Sequence, residues 1–178
     1  MKKALLTLIA ALSVATAVQA GDGKTFKETK TVIAPECLFR DQEFQIDAFY
    51  SGFFGGPKTR FGTGSGGGIG LNYFFCKYVG IGYEFQTYDN QKFASFLPAS
   101  GNLFLRYPIC SLNLAPYIMV GGGGTWSSAG GKGTGFGNVG AGLEYRITKN
   151  IGLFVDGRYF YGGTGNVADL RSGLRFAF

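Results

Sequence analysis

The fold of this chain is decided by the stretch from Asn138 to Ile147, which reads NVGAGLEYRI. Every second residue, from Val139 to Ile147, is apolar or aromatic, and the residues between them are small, polar or charged. A period of two is typical of a β-strand whose two faces meet different environments. The stretch therefore predicts a strand with one bulky apolar face and one face of Gly and charged side chains.

The same alternation recurs on both sides of this strand. From Glu43 onward we identify eight segments of roughly ten residues, the length that a tilted membrane-spanning strand needs. The pattern predicts an all-β fold, an eight-stranded antiparallel up-and-down transmembrane β-barrel over residues 43–178. The segments start near Glu43, Gly64, Tyr78, Ser100, Asn113, Thr134, Asn150 and Ala168.

Glycine indicates which face of the predicted barrel points outward. The chain contains 31 Gly, and many of them share a strand face with the charged residues. A barrel interior is crowded and accommodates Gly, whereas a soluble exterior would carry long Lys and Glu side chains. We therefore expect the bulky apolar face to contact outer-membrane lipid. A soluble lipocalin-like carrier, with the two faces exchanged, is the less favoured alternative.

The connections indicate the orientation of the barrel. Those after the second, fourth and sixth segments are short, and the others are longer and richer in Gly and Ser. Outer-membrane barrels have short periplasmic turns and longer outside loops, so both ends of the predicted barrel lie on the periplasmic side. Aromatic residues fall near the two expected rims: Phe44, Tyr73, Phe75, Tyr107, Tyr145 and Phe176 at one, and Tyr50, Trp126, Tyr159 and Tyr161 at the other.

The N-terminal residues predict export. Lys2 and Lys3 precede an uncharged apolar run, and Ala20 ends a plausible cleavage site, so residues 1–20 are predicted to be a cleaved signal peptide. Residues 21–42 are polar and charged, and we interpret them as a periplasmic leader that is flexible until Cys37. The predicted location is the bacterial outer membrane.

Two further stretches carry a family resemblance: PYIMVG at residues 116–121 and LRFAF at residues 174–178. With the eight-strand rhythm, they resemble the small outer-membrane barrel superfamily of the opacity proteins and the transmembrane domain of outer-membrane protein A. The resemblance implies a non-enzymatic integral barrel with a structural or surface-interaction role. It also implies that Leu174, Phe176 and Phe178 form the signal read by the barrel-insertion machinery during biogenesis.

The inward face is predicted to hold a balanced set of charges. Five acids and five arginines fall on it by alternation: Asp47, Glu84, Arg106, Glu144, Arg146, Asp156, Arg158, Asp169, Arg171 and Arg175. A narrow lumen requires such pairing, because an unpaired buried charge is costly. We expect an ion-pair network that keeps the lumen filled. The alternative is a narrow channel for ions or small solutes, since inward Gly leave space.

Three cysteines map to the predicted periplasmic rim. Antiparallel pairing of the third and fourth segments brings Cys76 and Cys110 to about the same level, which makes a disulfide between them possible in an oxidising periplasm. Cys37 is the competing partner for either one. The alternative, to which we give the same weight, is that all three cysteines stay reduced.

The composition argues against catalysis and cofactor binding. The chain contains no His, which removes Ser-His-Asp and Cys-His arrangements and most zinc sites. The GxGxxG matches at residues 62–67 and 135–140 continue as strand, so we attribute them to the abundance of Gly. We expect no enzyme activity, cofactor or metal. The net charge is +6, but the cations are scattered along the chain, so we expect no nucleic-acid partner. The sequence does not identify a surface ligand.

Overall fold

The computed structural model of the chain describes residues 36–55, 63–90, 93–127, 133–162 and 166–178. Within them the chain forms eight strands, β1 (Glu43–Gly55), β2 (Thr63–Cys76), β3 (Val79–Asn90), β4 (Phe93–Arg106), β5 (Leu114–Ser127), β6 (Thr134–Arg146), β7 (Ile151–Gly162) and β8 (Val167–Ala177). Each strand pairs antiparallel with its neighbours in the chain, and β8 pairs with β1, so the sheet closes on itself. The predicted eight-stranded barrel is confirmed. The predicted signal peptide lies outside the described residues.

The strand boundaries follow the alternation closely except in β4. Seven strands begin within one residue of the predicted position, but β4 begins at Phe93 rather than near Ser100. The segment before Ser100 lacks a period of two and contains Pro98, which has no N–H for the sheet. It nevertheless pairs with β5, where Pro98 lies opposite Thr125.

The two ends of the barrel differ in their connections. At one end, which we call the turn end, β2 and β3 are joined by Lys77 and Tyr78, and the β4–β5 connection contains a 3-10 turn at Cys110–Leu112. At the opposite end, which we call the loop end, the sequence predicted a longer connection after β3. This prediction is wrong. β3 ends at Asn90 and β4 begins at Phe93, because strand pairing continues to that point. No α-helix of membrane-spanning length and hydropathy occurs in the described part of the chain.

The two faces of the strands lie in opposite environments. In β6, Val139 and Leu143 are exposed on the outside, whereas Asn138 and Glu144 are completely buried inside. The same alternation holds along β7 and β8. The exterior of the barrel is therefore apolar, and its interior is polar and charged.

Inward glycines allow large side chains to cross the lumen. A Cβ added at Gly142 would lie 2.6 Å from Cζ of Tyr117 and 2.5 Å from Cβ of Asp156. By contrast, a Cβ at the outward Gly157 would meet nothing within 4 Å. Gly142 is thus required by close approach, because its missing side chain is the space that Tyr117 occupies.

Residues 36–42, which we call the N-terminal strap, run across the turn end before β1 begins. A disulfide joins Cys37 of the strap to Cys110, with a Cα–Cα distance of 4.7 Å. The predicted Cys76–Cys110 bond is therefore wrong, and the competing partner forms the bond. The path of the strap places Cys37 beside Cys110 in the β4–β5 connection. Cys76 is the last residue of β2 and forms no disulfide among the described residues.

Candidate functional site: the charged lumen

The inward charges form two groups at different depths. The turn-end cluster comprises Glu43, Asp47, Arg106, Glu144, Arg146 and Arg175. Within it, Glu144 accepts from Arg106 at 3.4 Å, from Arg175 at 2.6 Å and from Arg146. Glu43 accepts from Arg106 at 3.1 Å and from Arg146 at 2.6 Å. The shared carboxylates make this group one connected network.

Asp47 anchors the network to β1. Arg175 donates from Nε and Nη2 to the two carboxylate oxygens of Asp47, each at 2.7 Å. Asn72 of β2 donates to the same carboxylate at 2.8 Å. The fork of two parallel hydrogen bonds is the geometry in which Arg binds a carboxylate most strongly.

Aromatic rings cover the guanidinium groups of the turn-end cluster. Arg106 lies 3.8 Å from the ring centroid of Phe74 and 5.0 Å from that of Phe39 in the N-terminal strap. The Phe39 ring also lies 5.1 Å from Arg146. These cation–π contacts exclude water from the cations while partly compensating for its loss.

The central cluster lies deeper in the barrel and comprises Glu84, Asp156, Arg158 and Arg171. Arg171 donates to both oxygens of Asp156, at 2.8 and 2.7 Å, and to Glu84 at 3.0 Å. Arg158 donates from both terminal nitrogens to Glu84. Ser100 adds a hydrogen bond to Glu84 at 3.0 Å.

Two aromatic residues connect the clusters. The Tyr117 hydroxyl donates to Asp156 at 2.8 Å, and its ring lies 5.5 Å from Arg175. The Phe154 ring lies 4.8 Å from Arg175 and 5.8 Å from Arg171. The lumen is therefore filled from the turn end to its middle by alternating charged and aromatic side chains.

Toward the loop end the lumen is less completely paired. Asp169 is buried and accepts from the Tyr88 hydroxyl at 2.9 Å, but within the described ranges it has no ion pair. Asn138 is buried opposite Gly121 in the sheet register, and the buried Phe53 ring packs against the Tyr88 ring at a centroid distance of 4.8 Å. Among the described residues, this half of the barrel holds polar groups, Gly and an aromatic pair rather than Arg–carboxylate pairs.

Alternation predicted ten inward charges, and the structure buries all ten. Nine of them join the two clusters, while Asp169 stands apart from both. The prediction missed Glu43, which makes the inward set six acids to five arginines among the described residues. Its signal was present in the sequence, since Glu43, Gln45 and Asp47 follow a period of two.

The chemistry of this lumen is electrostatic. In the part of the chain that the structure describes, no group of three His, Cys, Asp or Glu side chains is arranged to hold a metal ion. Each cluster contains as many carboxylates as arginines, and each Arg contacts at least one carboxylate. Such an arrangement can hold strands together and resist water entry.

Comparison with known proteins identifies the fold. No family model and no curated protein matches the chain. The N-terminal β-barrel domain of Pseudomonas aeruginosa OprF has a similar structure, with a TM-score of 0.64 and 20% identity over 78% of this chain and 99% of that one. Neisserial surface protein A has a TM-score of 0.61 and 18% identity, over 76% of this chain and 96% of that one. Ail of Yersinia pestis has a TM-score of 0.51 and 14% identity, over 78% and 99%. The chain thus has the fold of the small eight-stranded outer-membrane barrels.

Proposed function

We propose that this protein is an integral barrel of the bacterial outer membrane, without enzyme activity, whose lumen is closed by its own side chains. Its role is to contribute to the structure of the envelope or to present the loop end to a partner. The observation that carries the proposal is the apolar exterior around an ion-paired interior.

The exterior supports contact with lipid. Exposed large apolar side chains occur on every strand for which exposure is described, among them Ile69, Ile118 and Leu153. A soluble barrel would bury such side chains, because burial of apolar surface is its main source of stability. In a bilayer the same surface contacts hydrocarbon, and a closed sheet leaves no unpaired backbone edge in it. These features disfavour the soluble carrier.

The interior supports a closed lumen. An eight-stranded barrel is just wide enough for side chains to fill. The turn-end and central clusters, with Tyr117 and Phe154 between them, occupy more than half of the depth that β7 and β8 span. Opening a path through them would separate several buried ion pairs, and each separation leaves a costly uncompensated charge.

The two ends of the barrel suggest its partners. We assign the C-terminal residues Leu174, Phe176 and Phe178 to recognition by the barrel-insertion machinery, since all three point outward and remain exposed. A surface ligand would bind at the loop end. Ail, which shares the fold, has been solved with the heparin analogue sucrose octasulfate. Loops on a rigid barrel are suited to such binding.

Membrane fractionation tests the proposal. The mature protein is expected in the detergent-extracted outer-membrane fraction, and its mobility on a gel is expected to change when the sample is heated, because the closed barrel resists detergent at room temperature. Recovery in the soluble periplasmic fraction, with no change on heating, would overturn the proposal.

Planar-bilayer recording tests the closed lumen. We expect no steady single-channel conductance from the folded protein. The second candidate, a narrow channel for ions or small solutes, is favoured by one observation: among the described residues the loop half of the lumen has no Arg–carboxylate pair, and its buried Asp169 accepts a hydrogen bond from Tyr88 instead of forming an ion pair. Steady conductance that changes in Asp169→Asn would establish the channel in place of the closed barrel.

A further inference from the structure

We propose that the N-terminal strap is a lid over the turn end of the lumen and that the Cys37–Cys110 disulfide is its redox-dependent latch. The proposal rests on the proposed function in one respect: the location in the outer membrane, which places the turn end in the oxidising periplasm. The lid itself is inferred from the contacts of residues 36–42.

The strap is attached to each of the three connections at the turn end. Asp41 accepts a hydrogen bond from the Lys77 backbone N–H of the β2–β3 turn at 2.7 Å. Cys37 is bonded to Cys110 of the β4–β5 connection. Arg40 donates to the Lys149 carbonyl of the β6–β7 turn at 3.5 Å. A segment of seven residues therefore crosses the whole opening.

Phe39 is the part of the strap that closes the lumen. It is 3% exposed, although the strap residues on both sides of it are at least partly exposed. Its ring covers Arg106 and Arg146, whose side chains have no exposure to solvent. Removal of this ring would expose the turn-end cluster to the periplasm, since no other described side chain has a ring contact with both arginines.

The disulfide is the strongest attachment of the lid. Arg40 is 38% exposed and lies 3.8 Å from Glu43 across a long ion pair, its hydrogen bonds to Lys149 and Glu43 are 3.5 and 3.4 Å long, and the Asp41 contact is a single exposed hydrogen bond, so each adds little alone. The two cysteines are partly exposed, which allows a reductant to reach the bond. A dithiol of the periplasm would supply two electrons and two protons. The S–S bond then breaks, Cys37 and Cys110 become thiols, and the reductant forms its own disulfide.

Gln42 joins the lid to the barrel and provides its hinge. Its φ of 53° is in the left-handed region, and the chain bends there just before β1. After reduction, the strap is free to swing about this residue while β1 stays paired with β2 and β8. The lid thus opens without loss of the barrel.

Fluorescence quenching tests the latch. In Phe39→Trp combined with Trp126→Phe, the single Trp lies in the lid, and we expect weak quenching by aqueous acrylamide in the oxidised protein. Treatment with a dithiol reductant, or the added pair Cys37→Ser and Cys110→Ser, should increase the quenching constant severalfold. The control is native Trp126 at the loop end, whose quenching should not change. Equal quenching of the lid Trp before and after reduction would overturn the proposal.

Hydrogen exchange tests the same latch without substitution. In the unmodified protein, reduction should accelerate amide exchange in residues 36–42 and at Lys77, while strand amides stay protected. Unchanged exchange in the strap would contradict the lid. Because both measurements are made on detergent-folded protein whose gel mobility still changes on heating, they can fail independently of membrane fractionation.

Discussion

At the scale of single residues, the lumen is held by arginines that each donate to at least one carboxylate, several of them through two hydrogen bonds. Arg175 on Asp47 and Arg171 on Asp156 each use two parallel hydrogen bonds. Arg is suited to such sites because its donors are fixed in a fork and its charge persists when it is buried. Removing one partner leaves the other charge without compensation, which is more costly than the pair is favourable.

Glu144 is expected to be the most sensitive carboxylate, because it contacts Arg106, Arg146 and Arg175. Glu144→Gln should lower the free energy of unfolding by about 3–5 kcal/mol. Urea unfolding in lipid vesicles, followed by Trp126 fluorescence, measures the change. The matched control is Asp169→Asn, which alters one hydrogen bond and should cost about 0.5–1.5 kcal/mol. Equal losses from the two variants would contradict the assigned network.

Two glycines on neighbouring strands test the packing of the lumen. Gly142→Ala would bring a Cβ within 2.6 Å of the Tyr117 ring and within 2.7 Å of a backbone oxygen, so we expect a loss of about 1–3 kcal/mol. Gly157→Ala points outward into open space and should be neutral or slightly stabilising. The same unfolding measurement compares them. A neutral Gly142→Ala would mean that Tyr117 does not fill this space.

At the scale of secondary-structure elements, β8 closes the barrel. It pairs with β7 and with β1, and the Phe178 N–H donates to the Phe44 carbonyl at 2.9 Å. Closure removes the free edges that would otherwise expose unpaired backbone groups to lipid. β8 also carries the outward Leu174 and Phe176, so one element serves both closure and the proposed recognition.

Phe178→Gly tests the proposed insertion signal. We expect less assembled barrel in the outer membrane of cells, with little change in refolding from urea into detergent, because the Phe178 side chain is 61% exposed. Heat-dependent gel mobility of membrane fractions measures assembly. Phe75→Gly is the control, since Phe75 is also an exposed aromatic residue at the turn end. A similar loss of assembly in both variants would assign the effect to general stability.

At the scale of the whole molecule, the distribution of polarity is the reverse of that in a soluble protein. The buried centre consists largely of charged and amide side chains, and the exposed surface consists largely of Leu, Ile, Val, Phe and Tyr. In lipid this arrangement is favourable because the apolar surface needs no water and the polar groups pair with one another. The membrane is thus part of the environment that stabilises the fold.

Arginine substitutions at two depths test the membrane setting. Val155 lies near the middle of β7, so Val155→Arg should lower the free energy of unfolding by about 2–4 kcal/mol. Ile147 lies at the turn end, and Ile147→Arg should lower it by only about 0–1 kcal/mol. Both residues are exposed, so contacts within the protein do not distinguish them. Unfolding in lipid vesicles measures the costs. Equal costs at the two sites would contradict a bilayer around the strands.

The sequence by itself determined the number of strands, nearly all of their starts and the face of ten of the eleven inward charges among the described residues. It could do so because side chains alternate strictly along a strand, so the faces of the seven strands other than β4 follow from local pattern alone. The same alternation would also have placed Glu43 on the inward face. The weak point was β4, where Pro98 and the irregular residues before Ser100 hide a strand that pairing with β5 holds in place.

Only the tertiary structure decided which charges pair, which cysteines bond and what covers the turn end. Arg175 meets Asp47 from a position 128 residues away, and Cys37 meets Cys110 across 73 residues. Such contacts depend on closure of the barrel and on the path of the strap. Neither of these produces a periodic pattern in the sequence. Alternation specifies the side of a strand on which a residue lies, whereas its partner is set by the three-dimensional path of the other strands.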